Sequence, residues 1–92
     1  MALGNSGIAA ARNELSTIGA KVAAAKATTE SFKKLFNDAN FQKFVAETSK
    51  GALINEQLQK LAEWSSSMCD TVESMKAKTQ NYLDHQEALN RR

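Results

Sequence analysis

Several residue types are absent from the chain or occur only once, and each of these shortages excludes a class of structure or site. It has no proline, one cysteine and one histidine among 92 residues. A single cysteine allows no internal disulfide, and a lone histidine with no cysteine at ligand spacing makes no zinc site. No apolar run approaches the roughly 20 residues that a membrane-spanning helix needs. We therefore expect no metal and no stable membrane insertion.

Basic residues and glycines are also sparse. The net charge is only +2, and both signs are interspersed along the second half of the chain. A nucleic-acid-binding surface needs a denser basic stripe, so we expect no nucleic-acid partner. The four glycines are scattered and form no phosphate-binding loop, and no Ser/His/Asp or Cys/His set has a catalytic spacing. The sequence therefore predicts a protein that is not an enzyme and that holds no cofactor.

Two heptad repeats are present instead. A repeat of 3.5 residues keeps one stripe of a helix facing a partner helix along its whole length. The first repeat runs through Ile8, Ala11, Leu15, Ile18, Val22, Ala25, Thr29, Phe32 and Phe36. The second runs through Ile54, Leu58, Leu61, Ser65, Met68, Val72, Met75, Thr79, Tyr82, Gln86 and Leu89. The pattern predicts an all-α chain: an antiparallel, coiled-coil-like two-helix hairpin forming a single domain over residues 1–92.

The turn between the helices has two candidate positions. One is the polar cluster at 37–40, and the other is the segment that ends at Gly51, where glycine suits the left-handed position that terminates helices. A turn at the first position leaves the residues after about 70 without a facing helix, so we favour the second. The predicted bounds are helix one over about 6–48, a turn near 49–52, and helix two over about 53–90.

A kink is expected within the first helix. The apolar positions Phe36 and Phe41 are five residues apart, which breaks the repeat. We therefore predict an interruption near 37–40, with Asn40 capping the restarted helix. The hairpin core is predicted to contain Leu15, Ile18, Val22, Phe32, Phe36, Leu58, Leu61, Met68, Val72 and Met75.

Several apolar residues lie off the predicted stripe and widen the apolar surface beyond what two helices cover. Trp64 is either an aromatic at the edge of the core or an anchor for a partner, since tryptophan is enriched at binding hot spots. The segment from Tyr82 to Glu87 is either an ordinary helix end or part of a recognition surface. We predict Trp64, Tyr82, Leu83 and Glu87 as the partner-binding and export residues.

A proline-free, alanine-rich helical hairpin of this length resembles the WXG-motif proteins of type VII secretion. It is especially similar to the small targeting factors that accompany LXG toxins. The tryptophan here lies within the second helix, in Trp64-Ser65-Ser66, rather than in the turn. The aromatic–acid export signal of that family is approximated by Tyr82, which is followed by Gln86 and Glu87.

The resemblance implies a secretion substrate or a targeting chaperone. Its hairpin would complete a four-helix bundle with the helical N-terminal domain of a larger toxin cargo, or with a second copy, and the complex would contact the secretion ATPase. The first residues form neither a basic nor an unbroken apolar segment. We expect synthesis in the cytoplasm and export without a cleaved signal peptide. The alternatives are a self-assembling structural subunit, or a chaperone of another secretion or phage system.

Overall fold

A computed structural model describes residues 3–91 and shows an all-α protein. The helices are α1 (Asn5–Lys33), α2 (Ala39–Glu47) and α3 (Gly51–Asn90), with a 3-10 turn over Lys34–Asn37 between α1 and α2. No strand occurs within residues 3–91, so the predicted fold class is confirmed at the level of secondary structure. No helix in that range is long and apolar enough to cross a bilayer.

The interruption of the first helix is set by Asp38. Its backbone is extended, with φ −75° and ψ 130°, and its carboxylate accepts a hydrogen bond of 2.9 Å from the backbone N–H of Phe41. This is the arrangement of an N-cap, in which a side-chain oxygen satisfies a free N–H of the first helical turn. The break therefore lies at 34–38, and the predicted cap is wrong because Asn40 already lies inside α2.

The turn into α3 occupies residues 48–50, and Gly51 is the first residue of the helix. Gly51 does not adopt a positive φ, so the predicted left-handed conformation is wrong. The residue is glycine for a steric reason instead. A Cβ atom at this position would lie 2.0 Å from the carbonyl oxygen of Val45, and that space is free only because glycine has no side chain.

The described residues group into two compact units. Unit 1 joins the chain up to Ala23 with the chain from Asp70 onward, and unit 2 is Ala24–Cys69. In unit 1 the contacts between α1 and α3 run in opposite directions, since Arg12 meets Asp84 and Gly19 lies against Lys76. The two helix segments are therefore antiparallel within this unit.

Unit 2 is held by a hydroxyl pair and a series of aromatic rings. The Oγ1 of Thr29 and the Oγ of Ser65 lie 2.7 Å apart, which joins α1 to α3. Ala62 and Cys69, on the same helix as Ser65, are buried. Successive phenylalanine rings are 5.6, 5.9 and 6.2 Å apart, centroid to centroid, in a range where aromatic pairs attract one another. The rings belong to Phe32, Phe36, Phe41 and Phe44.

The buried stripe differs from the predicted one at alternate positions. Ile18, Leu61, Met68 and Met75 are expected in the core, yet the structure leaves all four exposed. At the first three positions, the contact between helices uses the small residue that follows: Gly19, Ala62 and Cys69. Small side chains let two helices approach closely, whereas a bulky residue at the same place holds them apart. The remaining predicted core residues are half-buried: Leu15, Val22, Phe32, Phe36, Leu58 and Val72.

Candidate docking surface

Unit 1 leaves large apolar side chains of both helices exposed. On α3, Met75 retains 61% of its accessible surface and Tyr82 retains 51%, and on α1 Ile18 retains 40%. Met75 and Tyr82 are seven residues apart, which places them on the same face of the helix. Large side chains clustered on one face indicate a binding surface more strongly than scattered ones do.

The opposite side of the same helix pair carries polar and charged side chains around a half-buried leucine. A shallow groove there is lined by Ser16 of α1 and Gln80 of α3, together with Leu15 and the stems of Arg12 and Lys76. In an antiparallel helix pair, the residues that directly precede the contacting residues in sequence lie on one side of the pair, on both helices. The residues that directly follow the contacting residues lie on the other side. Ser16 and Gln80 belong to the second set. The apolar members of the first set, which we call the apolar side of unit 1, are Ala11, Ile18, Met75 and Tyr82.

Unit 2 repeats this pattern on its own part of α3. Leu61 and Met68 directly precede the buried Ala62 and Cys69, and both are exposed. Trp64 lies three residues after Leu61 and four before Met68, so it shares their face, and it is more than half exposed. Unit 2 thus has an apolar set of its own, with tryptophan at its centre.

An ion-pair cluster fixes the polar edge of unit 1. The Nη2 of Arg12 lies 2.8 Å from the Oδ1 of Asp84 and 3.0 Å from the Oε2 of Glu87. Hydrogen bonds to Asp84 and Glu87 raise the pKa of the Arg12 guanidinium, since both stabilise its charged form. Glu87 also pairs with Arg91 one turn further along α3. Glu87 is therefore engaged within the chain, on the side opposite Ile18.

The four residues predicted for partner binding have different environments in the structure. Tyr82 and Trp64 are exposed and lie in the two apolar sets. Leu83 is the most buried large side chain among the described residues, with 1% of its surface accessible. Its side chain lies in the buried stripe of unit 1 rather than on the surface, so its predicted part in partner binding stays a prediction. Glu87 is held by two arginines.

The sequence interpretation missed Leu61, Met68, Met75 and Ile18 as surface residues. A signal was present, since a small residue immediately follows three of them: Ala62, Cys69 and Gly19. Two adjacent stripes were therefore available on each helix, one bulky and one small. In the structure Ala62 and Cys69 are buried while the bulky residues that precede them are exposed.

Groups that carry chemistry are dispersed. Cys69 is a buried free thiol, and His85 is exposed. Within residues 3–91, no group of three or more histidine, cysteine, aspartate or glutamate side chains is arranged to hold a metal ion.

Comparison of the chain with family models, with curated proteins and with solved structures finds no match.

Proposed function

We propose that this chain is a non-catalytic binding protein whose α1 and α3 form an antiparallel two-helix hairpin and complete a four-helix bundle with a partner. The observation that carries the proposal is the contrast between the two sides of unit 1. One side presents Met75, Tyr82 and Ile18 to solvent, while the other presents Ser16 and Gln80. A partner helix therefore meets large exposed apolar side chains on the first side.

The energetics favour a helical partner over a small ligand. The exposed side chains lie on the ridges of two helices, and a second pair of helices fits such ridges by interdigitating its own side chains. Burying apolar surface contributes about 25 cal/mol per Å² before the costs of association are subtracted. Few apolar residues of the described chain are buried within it: Ile8, Ala62, Cys69 and Leu83. A partner that covers the exposed apolar side chains would add to this small buried area.

The partner class follows from the resemblance to the WXG-motif proteins. We propose that the chain acts as a type VII secretion substrate or as a targeting chaperone that binds the helical N-terminal domain of a larger toxin cargo. The complex would then be presented to the secretion ATPase and exported without a cleaved signal. All-helical secondary structure and an exposed apolar set in each unit support this proposal.

The test is co-purification from the source organism, with the mass of the eluted complex measured by light scattering. Met75→Glu places a charge on the apolar side, and Gln80→Glu places the same charge on the polar side of the same helix. We expect wild-type protein and the Gln80→Glu variant to elute with one helical cargo at fixed stoichiometry, and the Met75→Glu variant to elute without it. Equal recovery of the cargo by both variants, with helicity unchanged, contradicts the proposal.

Export provides a second readout. Tyr82→Ala removes an exposed aromatic ring without opening the buried stripe, so far-UV circular dichroism is expected to stay unchanged while export is lost. Normal export of the folded variant shows that Tyr82 is not a recognition residue.

A further inference from the structure

We propose that Met68 and Met75 are oxidation sites of this chain and act as a redox switch. Their sulfoxides turn the apolar sets of α3 polar and release a docked partner, while the helices stay folded. The release step rests on the proposed function, and the oxidation itself does not. Three features of α3 support the switch: the exposure of both thioethers, the burial of the neighbouring thiol, and the position of both methionines outside the buried stripe.

Both methionines of the described range are exposed apolar side chains, one in each unit. Met68 of unit 2 retains 46% of its accessible surface, and Met75 of unit 1 retains 61%. A peroxide in solution therefore reaches each thioether without any opening of the helix pair. Methionine is oxidised to the sulfoxide, which converts a flexible apolar side chain into a polar one.

The thiol next to Met68 has the opposite environment. Cys69 is the following residue, and it is buried, with 7% of its surface accessible. Oxidation of a cysteine proceeds through the thiolate and depends on access to solvent, so burial protects this thiol. We therefore expect a peroxide to react with the two thioethers before it reacts with the thiol. The sequence does not predict this order, because Met68 and Cys69 are neighbours in it.

The chemical step is the transfer of one oxygen atom to each sulfur. The thioether sulfur attacks one oxygen of hydrogen peroxide, an S–O bond forms and the O–O bond breaks. The proton on the transferred oxygen passes to the leaving hydroxide, which becomes water. The sulfur is oxidised by two electrons and the peroxide is reduced by the same two. Methionine sulfoxide reductases reverse the step: the oxygen leaves as water while a dithiol is oxidised to a disulfide.

The location of the two sulfurs separates docking from folding. Met75 belongs to the apolar side of unit 1, and Met68 lies with Trp64 and Leu61 in the apolar set of unit 2. The buried apolar residues of the described chain include no methionine. Sulfoxide formation therefore makes both docking sets more polar and leaves the buried residues as they are. One oxidant acts on both sets at once.

The first measurement is the order of oxidation in the purified full chain over a graded series of hydrogen peroxide concentrations. Tryptic cleavage after Lys60 and Lys76 releases one peptide, 61–76, that holds Met68, Cys69 and Met75. Fragmentation of this peptide in a mass spectrometer reports all three residues together. We expect sulfoxide at both methionines while the thiol stays reduced and far-UV circular dichroism stays unchanged. Oxidation of the thiol first, or loss of helicity in step with sulfoxide formation, overturns the switch.

The change in surface polarity is measured by retention on a phenyl column, which needs no cargo. Oxidised wild-type protein is expected to elute earlier than reduced protein. The Met68→Leu/Met75→Leu variant keeps apolar side chains of similar volume but has no thioether at these positions. We expect its retention to be little changed by peroxide. A shift in this variant as large as that of the wild type overturns the assignment of the two sites.

Release is tested on the complex with cargo described above. Cargo is expected to leave the oxidised wild type, to stay with the oxidised Met68→Leu/Met75→Leu variant, and to rebind after treatment with methionine sulfoxide reductases A and B. Cargo that stays on fully oxidised wild-type protein overturns the switch alone. Equal cargo recovery by the Met75→Glu and Gln80→Glu variants overturns the proposed function, whereas the order of oxidation and the phenyl-column shift are independent of it.

Discussion

Gly51 lies so close to the carbonyl of Val45 that a Cβ atom would stand 2.0 Å from the oxygen. The obstacle is backbone rather than a flexible side chain, so it cannot move aside without shifting α2 relative to the start of α3. Gly51→Ala is therefore expected to lower the free energy of unfolding by about 1–3 kcal/mol, the usual cost of overpacking. Urea denaturation followed by circular dichroism measures it. Gly4→Ala is the control because nothing lies within 4 Å of that position, and equal midpoints for the two variants would contradict the steric argument.

Gly19→Ala is expected to act in the opposite direction. The nearest atoms to a new Cβ are the Cε and Nζ of Lys76, both at 3.0 Å. These atoms end a flexible side chain that can swing toward solvent. Alanine improves helix propensity by up to about 1 kcal/mol over glycine, so the melting temperature should rise. A fall that is reversed in the Gly19→Ala/Lys76→Ala double variant would show that Lys76 is held in place.

The hydroxyl pair of unit 2 has a defined direction. Thr29 donates to the carbonyl oxygen of Ala25 at 2.9 Å, which uses its single hydroxyl proton, so Ser65 donates to Thr29. Thr29→Val removes the acceptor and leaves the hydroxyl of Ser65 without this partner, at an expected cost of about 1–3 kcal/mol. A double-mutant cycle with Ser65→Ala should show coupling of about 0.5–1.5 kcal/mol. Strictly additive effects would mean that the two hydroxyls do not interact in solution.

Arg12 is expected to stabilise unit 1 in a salt-dependent way. Arg12→Ala removes contacts to Asp84 and Glu87, so its melting temperature should fall below that of the wild type in dilute buffer. The difference in melting temperature between wild type and Arg12→Ala should be smaller in 1 M salt, because the screening length there is only about 3 Å. Arg12→Lys should fall between them, since lysine keeps the positive charge but not the guanidinium group whose Nη2 contacts both carboxylates. Lys60→Ala removes an exposed pair within one helix and should change little at any salt concentration.

Asp38 is expected to determine where α2 begins. Asp38→Ala removes the cap on Phe41 and should cost about 1 kcal/mol, while Asp38→Asn keeps an acceptor oxygen and should cost much less. Thermal melts of the two variants distinguish capping from charge. Equal losses would show that the negative charge, rather than the acceptor, is what the helix uses.

The sequence predicts the helical class and the interruption of the first helix, because both follow from local spacing. The absence of proline, the sustained heptads and the step from Phe36 to Phe41 are readable without any knowledge of packing. The cap is not readable in the same way, since Asp38 and Asn40 are both good capping residues and only the backbone conformation selects one.

The face that each helix buries is harder to predict. Met68 and Cys69 are adjacent and both are hydrophobic. The hydrophobicity pattern alone therefore does not tell which of the two is buried against the other helix. The distance between the helix axes decides between them, and that distance is a property of the pair rather than of either sequence alone. Leu83 and Tyr82 are both large, so residue size gives no signal there, and only the structure shows that Leu83 is the buried one.

The first described residue is tied to the last turns of α3. The backbone N–H of Leu3 donates to the Oε1 of Gln86 at 3.0 Å, and its carbonyl accepts from the Nδ2 of Asn90 at 2.7 Å. Such bonds close a loop of nearly the whole chain, and the entropy lost in closing a loop grows with its length. The bonds near Gly51 close loops of only a few residues. The short loops near Gly51 are therefore expected to close early in folding, and the contacts of Leu3 with the last turns of α3 to form late and break first.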